Sequence, residues 1–165
     1  MNLIPRRLAS SVNFRSMSTN DKPAAADASP KTTVATIMTT DVSTVTPMMT
    51  VRDVIVLLTS KKISGAPVVN DMQVVISVVS EGDLLKLAAS VGLEKQIGQC
   101  VDKLVKTKDL ITARVSDSYA DIYKKFLTKS VHRVIVTDDN GRLRGIVSRS
   151  NLLRTLVELA ATPTA

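Results

Sequence analysis

The chain states one pattern twice, at a constant distance of 68 residues. Val51, Val54, Ile55 and Leu58 stand at i, i+3, i+4 and i+7, and Tyr119, Ile122, Tyr123 and Phe126 occupy the same places in a second copy. That spacing puts four apolar side chains on one face of a helix. Each set follows a polar start signal, Thr50-Val-Arg-Asp53 and Ser118-Tyr-Ala-Asp121. A hydroxyl and a carboxylate three positions apart satisfy backbone N–H groups that a helix leaves open at its start. Farther on, Val78-Val79-Ser80-Glu81-Gly82-Asp83-Leu84-Leu85 returns as Ile146-Val147-Ser148-Arg149-Ser150-Asn151-Leu152-Leu153. A constant offset means one structural unit used twice. Two copies make a folded pair, and the seam between them is a natural place for a ligand.

Each copy reads as strand–helix–strand–strand–helix. In the first, the pattern predicts a strand over 42–46 ended by Pro47, a helix over 51–60, and a buried hairpin of 68–69 with 74–79 turning at Asn70-Asp71. A helix over 82–89 follows. In the second, strands are expected over 110–113, 134–137 and 143–147, with helices over 118–128 and 150–161. Asp138-Asp139-Asn140-Gly141 is a hairpin turn, because Asn and Gly tolerate positive φ. The fold class expected is α/β (α+β), two βαββα repeats packed with pseudo-two-fold symmetry around a shared core. The first repeat spans 34–95 and the second 96–165. Residues 1–33 form a flexible leader with no fixed place in the fold.

Composition narrows the chemistry. Aromatic residues supply only 2% of the 165, so the core is aliphatic and bases have few rings to stack on. The net charge of +7 divides into +3 on residues 1–33 and +4 on the rest, with no dense basic patch. Nucleic-acid binding is therefore not expected, and a small anionic ligand fits the mild bias better. One cysteine, Cys100, and one histidine, His132, offer neither a disulfide nor a metal site. Cys100 reads as a small packed residue near the linker between repeats. No apolar run approaches the roughly 18 residues of a membrane span, so a soluble intracellular, cytoplasmic protein is expected. The alternative is a mitochondrial or other organellar location, because residues 1–20 carry three arginines, several serines and no acid, as transit peptides do. A plain basic tail explains the same composition.

Taken in order, these segments resemble a CBS domain pair, or Bateman module. The matching stretches are Ile37-Met38-Thr39, Ile63-Ser64-Gly65-Ala66-Pro67-Val68-Val69 and Ser80-Glu81-Gly82-Asp83-Leu84-Leu85 in the first copy. Val131-His132-Arg133-Val134-Ile135-Val136 and Gly145-Ile146-Val147-Ser148-Arg149-Ser150-Asn151 match in the second. The resemblance covers residue 34 to about residue 160. It implies a stand-alone regulatory module that binds AMP, ADP, ATP or a related adenosine ligand such as S-adenosylmethionine. No cofactor is required and no catalysis is implied.

The resemblance also implies a ligand set: Ser80 and Asp83 in the first copy, and His132, Arg133, Ser148, Arg149 and Asn151 in the second. A carboxylate such as Asp83 can accept from both ribose hydroxyls, and an arginine fork suits phosphate. Read without the resemblance, Ser80-x-x-Asp83 and Ser148-x-x-Asn151 are helix starts in their own right, and His132 and Arg133 are surface residues before a buried strand. The copies differ. Asn151 stands where the family has Asp, Ser64-Gly65 stands opposite His132-Arg133, and Ser77 stands opposite Gly145, where it is expected to crowd a strand beside the cleft. Two unequal clefts are expected, one with Asp83 and no arginine, the other with Arg133, Arg149 and a weaker ribose clamp. A homodimer and an unknown protein target regulated in trans are the expected partners. The competing function is a ligand-free dimerisation or scaffold module.

Overall fold

The computed structural model describes residues 32–106, 109–129 and 131–161. The leader expected over 1–33 thus lies, apart from Thr32 and Thr33, outside the described residues. The elements in chain order are α1 (Val34–Ile37), α2 (Val51–Lys61), β1 (Gly65–Val69), β2 (Val75–Ser80) and α3 (Glu81–Val91). A 3₁₀ segment (Ile97–Lys103), β3 (Val105–Lys106), β4 (Thr112–Arg114), α4 (Tyr119–Thr128), β5 (Arg133–Thr137), β6 (Leu143–Ser148) and α5 (Arg149–Ala161) complete the chain.

Every helix that carries a repeat starts the same way. Thr50 Oγ1 accepts from Asp53 N at 3.1 Å while Asp53 Oδ2 accepts from Thr50 N at 2.9 Å. Ser118 and Asp121 form the equivalent box on α4. The Thr50 backbone N–H, and then its hydroxyl, hold the Asp53 carboxyl below its ordinary range; the Ser118 hydroxyl leads the same effect on Asp121. The hairpin turns also agree. Asn70 Oδ1 accepts from the N–H groups of Met72 and Val74, and Asp138 Oδ1 from those of Asn140 and Arg142. The residue that must turn left-handed is Gln73 in the first copy (φ 62°) and Gly141 in the second (φ 74°).

Two three-stranded sheets result, β1-β2-β3 and β4-β5-β6. β1 and β2 pair antiparallel from Gly65↔Ser80, and β5 and β6 from Arg133↔Ser148, each with one register shift near its hairpin end. β4 runs parallel to β5, with Ala113 opposite Val136. The strand expected over 42–46 is reduced to a single parallel bridge, Val45↔Val68, which occupies the equivalent place. Val45 N and O both bond to β1, and Pro47, with no N–H to give, ends the pairing two residues later.

The pseudo-two-fold axis passes between the hairpins. Val75 N donates to Gly141 O at 3.0 Å and Leu143 N donates to Gln73 O at 2.9 Å, two bonds that exchange under the 68-residue offset. Val69, Val75 and Ile135 make a small buried cluster at this seam.

The segment that leads into each repeat packs on the other. Thr39 and Ile146 exchange two backbone hydrogen bonds of 2.9 Å, adding an edge to the second sheet, and Val34 is buried among Ala113, Tyr119 and Leu152. Symmetrically, β3 edges β2, with Val78 opposite Val105, and Ile97, Cys100 and Leu104 are buried with Val51, Val54 and Leu84. The first repeat's core therefore crosses the boundary at 95/96, and neither repeat closes its core from its own residues alone.

Candidate functional site

Two clefts flank the axis, and their walls are mates. The larger, about 530 Å³, is lined by Ser64–Pro67, Val78 and Ser80 from the first repeat. Val105, Asp109–Ile111, Val131–Arg133, Ile135 and Ile146 complete it. The smaller, about 250 Å³, is lined by Thr39, Asp41–Ser43, Ile63, Gly65, Arg133, Ile146, Ser148 and Asn151. Asp109, Leu110 and Ile111 are Asp41, Val42 and Ser43 carried forward by 68, and Val131 is Ile63. The larger cleft has the volume of a small-molecule site, and its wall is mainly aliphatic.

The expected ligand residues divide between the clefts. Ser80, His132 and Arg133 meet in the larger, although they come from different repeats, and Ser148 and Asn151 line the smaller with Arg133. Asp83 and Arg149 are not among the described lining residues of either cleft. The sequence reading put Arg133 with the Asn151 cleft and left the first cleft without an arginine. In the structure Arg133 borders both. Its Nη1 reaches the carbonyl of Gly65, its own symmetry mate, at 3.4 Å.

The helix starts beside the clefts explain what the capping residues have left to offer. Ser80 N and Ser80 Oγ both donate to Asp83 Oδ2, at 2.9 and 2.5 Å, and Asp83 N returns a bond to Ser80 Oγ at 3.3 Å. Asp83 thus caps with one oxygen and keeps Oδ1, an acceptor, clear of hydrogen bonds from the described residues. In the second copy Ser148 N and Oγ donate to Asn151 Oδ1 at 2.8 and 2.6 Å. A donor pair fixes which end of the amide is oxygen, so the end left over is an NH₂ group, which donates. The replacement of Asp by Asn reverses the hydrogen-bonding sense of the group beside the cleft, where the sequence reading had only a weaker acceptor. Capping and ligand contact are compatible at both positions.

The structure also revises the role of Ser77. It is fully buried and its Oγ donates to Val105 O at 2.8 Å, so it fastens β3 to β2. At Gly145 a Cβ would stand 2.8 Å from Thr39 O and 2.9 Å from Met38 Sδ. The glycine admits the lead-in segment at a distance that a side chain would forbid.

The sequence reading missed Asp41, Asp109, the aliphatic wall of 110–111, and Gly65 as a shared wall. The 68-residue offset carried the signal for the first two, because Asp41-Val-Ser43 and Asp109-Leu-Ile111 are equivalent in both copies. Among the described residues no group of three or more His, Cys, Asp or Glu is placed to hold a metal, and no helix is long and apolar enough to cross a membrane.

Known proteins resemble this chain in sequence and fold. A family model for the CBS domain matches residues 34–90 and 101–158. The CBS domain-containing protein CBSX2, chloroplastic, of Arabidopsis thaliana is 29% identical over 139 residues, covering 70% of this chain and 58% of that protein. The human 5'-AMP-activated protein kinase subunit gamma-3 is 26% identical over 115 residues, covering 67% of this chain and 23% of the subunit. The crystal structure of CBSX2 in complex with AMP superposes with a TM-score of 0.67 at 28% identity, covering 78% of this chain and 98% of that one. The chain therefore spans under two thirds of the length of either curated relative.

Proposed function

The chain belongs to the CBS domain family, and from that premise we propose that it is a regulatory module that binds an adenosine nucleotide in the larger cleft and acts in trans on a partner protein. The observation that carries the proposal is the convergence of Ser80 with His132 and Arg133, from opposite repeats, on one aliphatic cleft of about 530 Å³. The aliphatic wall suits a base, the Ser80–Asp83 helix start a ribose, and the guanidinium a phosphate. A relative with the same fold and 28% identity has been crystallised with AMP. Binding across the seam would stiffen the two repeats against each other, which is the change a partner could read. The acid-free leader over 1–20 supports delivery to an organelle, and import of a 1–33 fusion into isolated organelles tests that.

Calorimetric titration of the full chain with AMP is the test. A dissociation constant between low micromolar and millimolar is expected. Asp83→Asn keeps the capping acceptor, as Asn151 does, and exchanges the free, charged carboxylate oxygen for an NH₂ donor. It should weaken AMP by roughly 1–3 kcal/mol. Equal affinity for the wild type and Asp83→Asn would remove Asp83 from the ligand set. No heat and no thermal shift with AMP, ADP or ATP would overturn the nucleotide reading.

One observation favours the second reading, a dimerisation or scaffold module. Leu85 on α3 and Leu153 on α5 are symmetry mates, yet 74% and 63% exposed, and Val157 on α5 is 69% exposed. Apolar side chains presented on matching helices fit an interface between two copies. Light scattering of the wild type and Leu85→Lys/Leu153→Lys measures whether they hold a homodimer.

A further inference from the structure

We propose that the two clefts compete for the single guanidinium of Arg133, so that a phosphate held in one lowers the affinity of the other for a second phosphate. This rests on the nucleotide reading above and goes beyond it, to how the two sites influence one another.

A perfect repeat would give each cleft its own residue at this position. Here the mates are Gly65 and Arg133, so the pair of clefts has one side chain where symmetry provides two places. Both residues line both clefts, together with Ile146. Arg133 is the only lysine or arginine among the described lining residues. It is exposed at the start of β5, and the one hydrogen bond of its side chain among the described residues, to the Gly65 carbonyl, is long at 3.4 Å. A bond of that length to a neutral acceptor in water holds the fork weakly, so either cleft can take it.

Neither cleft has a second lysine or arginine among its described lining residues. Each has one aspartate on its wall, Asp109 in the larger and Asp41 in the smaller. A phosphate that enters while Arg133 is engaged on the other side meets a carboxylate with no second lysine or arginine among the described lining residues to offset it. The larger cleft has about twice the volume and also has His132. It should fill first and draw the guanidinium to its side. A ligand without a phosphate makes no claim on Arg133, so the coupling is specific to nucleotides.

The experiment compares adenosine with AMP on the full chain. Calorimetry gives the two dissociation constants, and the amide signals of Ser80 and Ser148 in nuclear magnetic resonance report which cleft is filling. The ratio of second to first constant should be roughly tenfold or more larger for AMP than for adenosine, the worth of one charge-assisted contact. Arg133→Gln should bring the AMP ratio down to the adenosine ratio, and Arg133→Lys serves as a second variant with the charge kept. Equal ratios for AMP and adenosine in the wild type would overturn the competition while leaving the nucleotide reading intact. So would adenosine filling only one cleft, or an AMP ratio unchanged in Arg133→Gln. Failure of both compounds to bind would overturn the nucleotide reading and this inference with it.

Discussion

Replacing Gly145 by serine copies into the second repeat the residue that the first repeat carries at the same place. By sequence the exchange is conservative. The structure makes it costly. A Cβ at 145 stands 2.8 Å from Thr39 O, 2.9 Å from Met38 Sδ and 3.1 Å from Met38 Cγ. The methionine end can swing aside. The Thr39 carbonyl cannot, because it accepts from Ile146 N while Thr39 N donates to Ile146 O, both at 2.9 Å. Overpacking of this kind costs about 1–3 kcal/mol, and opening the bridge to relieve it forfeits two backbone hydrogen bonds at about 1 kcal/mol each. A loss of about 2 kcal/mol is expected by either route. Urea denaturation of the full chain measures it, and hydrogen exchange at Thr39 and Ile146 shows whether the lead-in segment has detached. Ser77→Ala is the counterpart: it loses the bond to Val105 O and a longer one of 3.4 Å to Val78 O, and should cost about 1 kcal/mol. A change under about 0.5 kcal/mol for Gly145→Ser, with Thr39 still protected, would refute the close-approach reasoning.

Gly141→Ala should cost about 1 kcal/mol, because φ is 74° there while the added Cβ meets only Val74 Cγ1 at 3.5 Å; Gln73→Gly at the matching position should gain a few tenths, and thermal melts of the pair decide. Asp53 and Asp121 have lowered pKa values in the fold, so their contribution is complete above the ordinary value of 3.8 and is lost as pH falls through the lowered values; Asp53→Asn/Asp121→Asn keeps the caps and should flatten the stability profile in that acid window, as urea midpoints from pH 7 to pH 2 will show. Asn151→Asp exchanges the free NH₂ end for an acceptor oxygen beside the smaller cleft. It should strengthen adenosine there more than AMP, because the added charge opposes a phosphate, and titration with both compounds distinguishes this from a uniform gain.

Most of the fold was legible from the chain because its causes are local and stated twice. Helical spacing at Val51–Leu58 and Tyr119–Phe126, the Ser/Thr-x-x-Asp starts and the Asn- and Asp-led turns each act over three or four residues. The 68-residue offset then identified the equivalents, so that buried Val54, Leu58, Val68 and Val79 have buried mates in Ile122, Phe126, Val136 and Val147. The positions of Ser80 and Ser148 beside clefts also follow, since each ends a strand and starts a helix.

What only the tertiary structure decided involves contacts between residues far apart in sequence, for which periodicity carries no information. Thr39 pairs with Ile146 across 107 positions, so each repeat lends its lead-in segment to the other; Gly145 leaves no room for a Cβ against Thr39 O, whereas Ser77 uses its side chain to bond Val105 O. The chain shows that Gly65 and Arg133 are mates, but not that mates near the axis face each other. That adjacency places one guanidinium on two clefts. The two-fold relation decides it, because only residues close to the axis are brought next to their own equivalents.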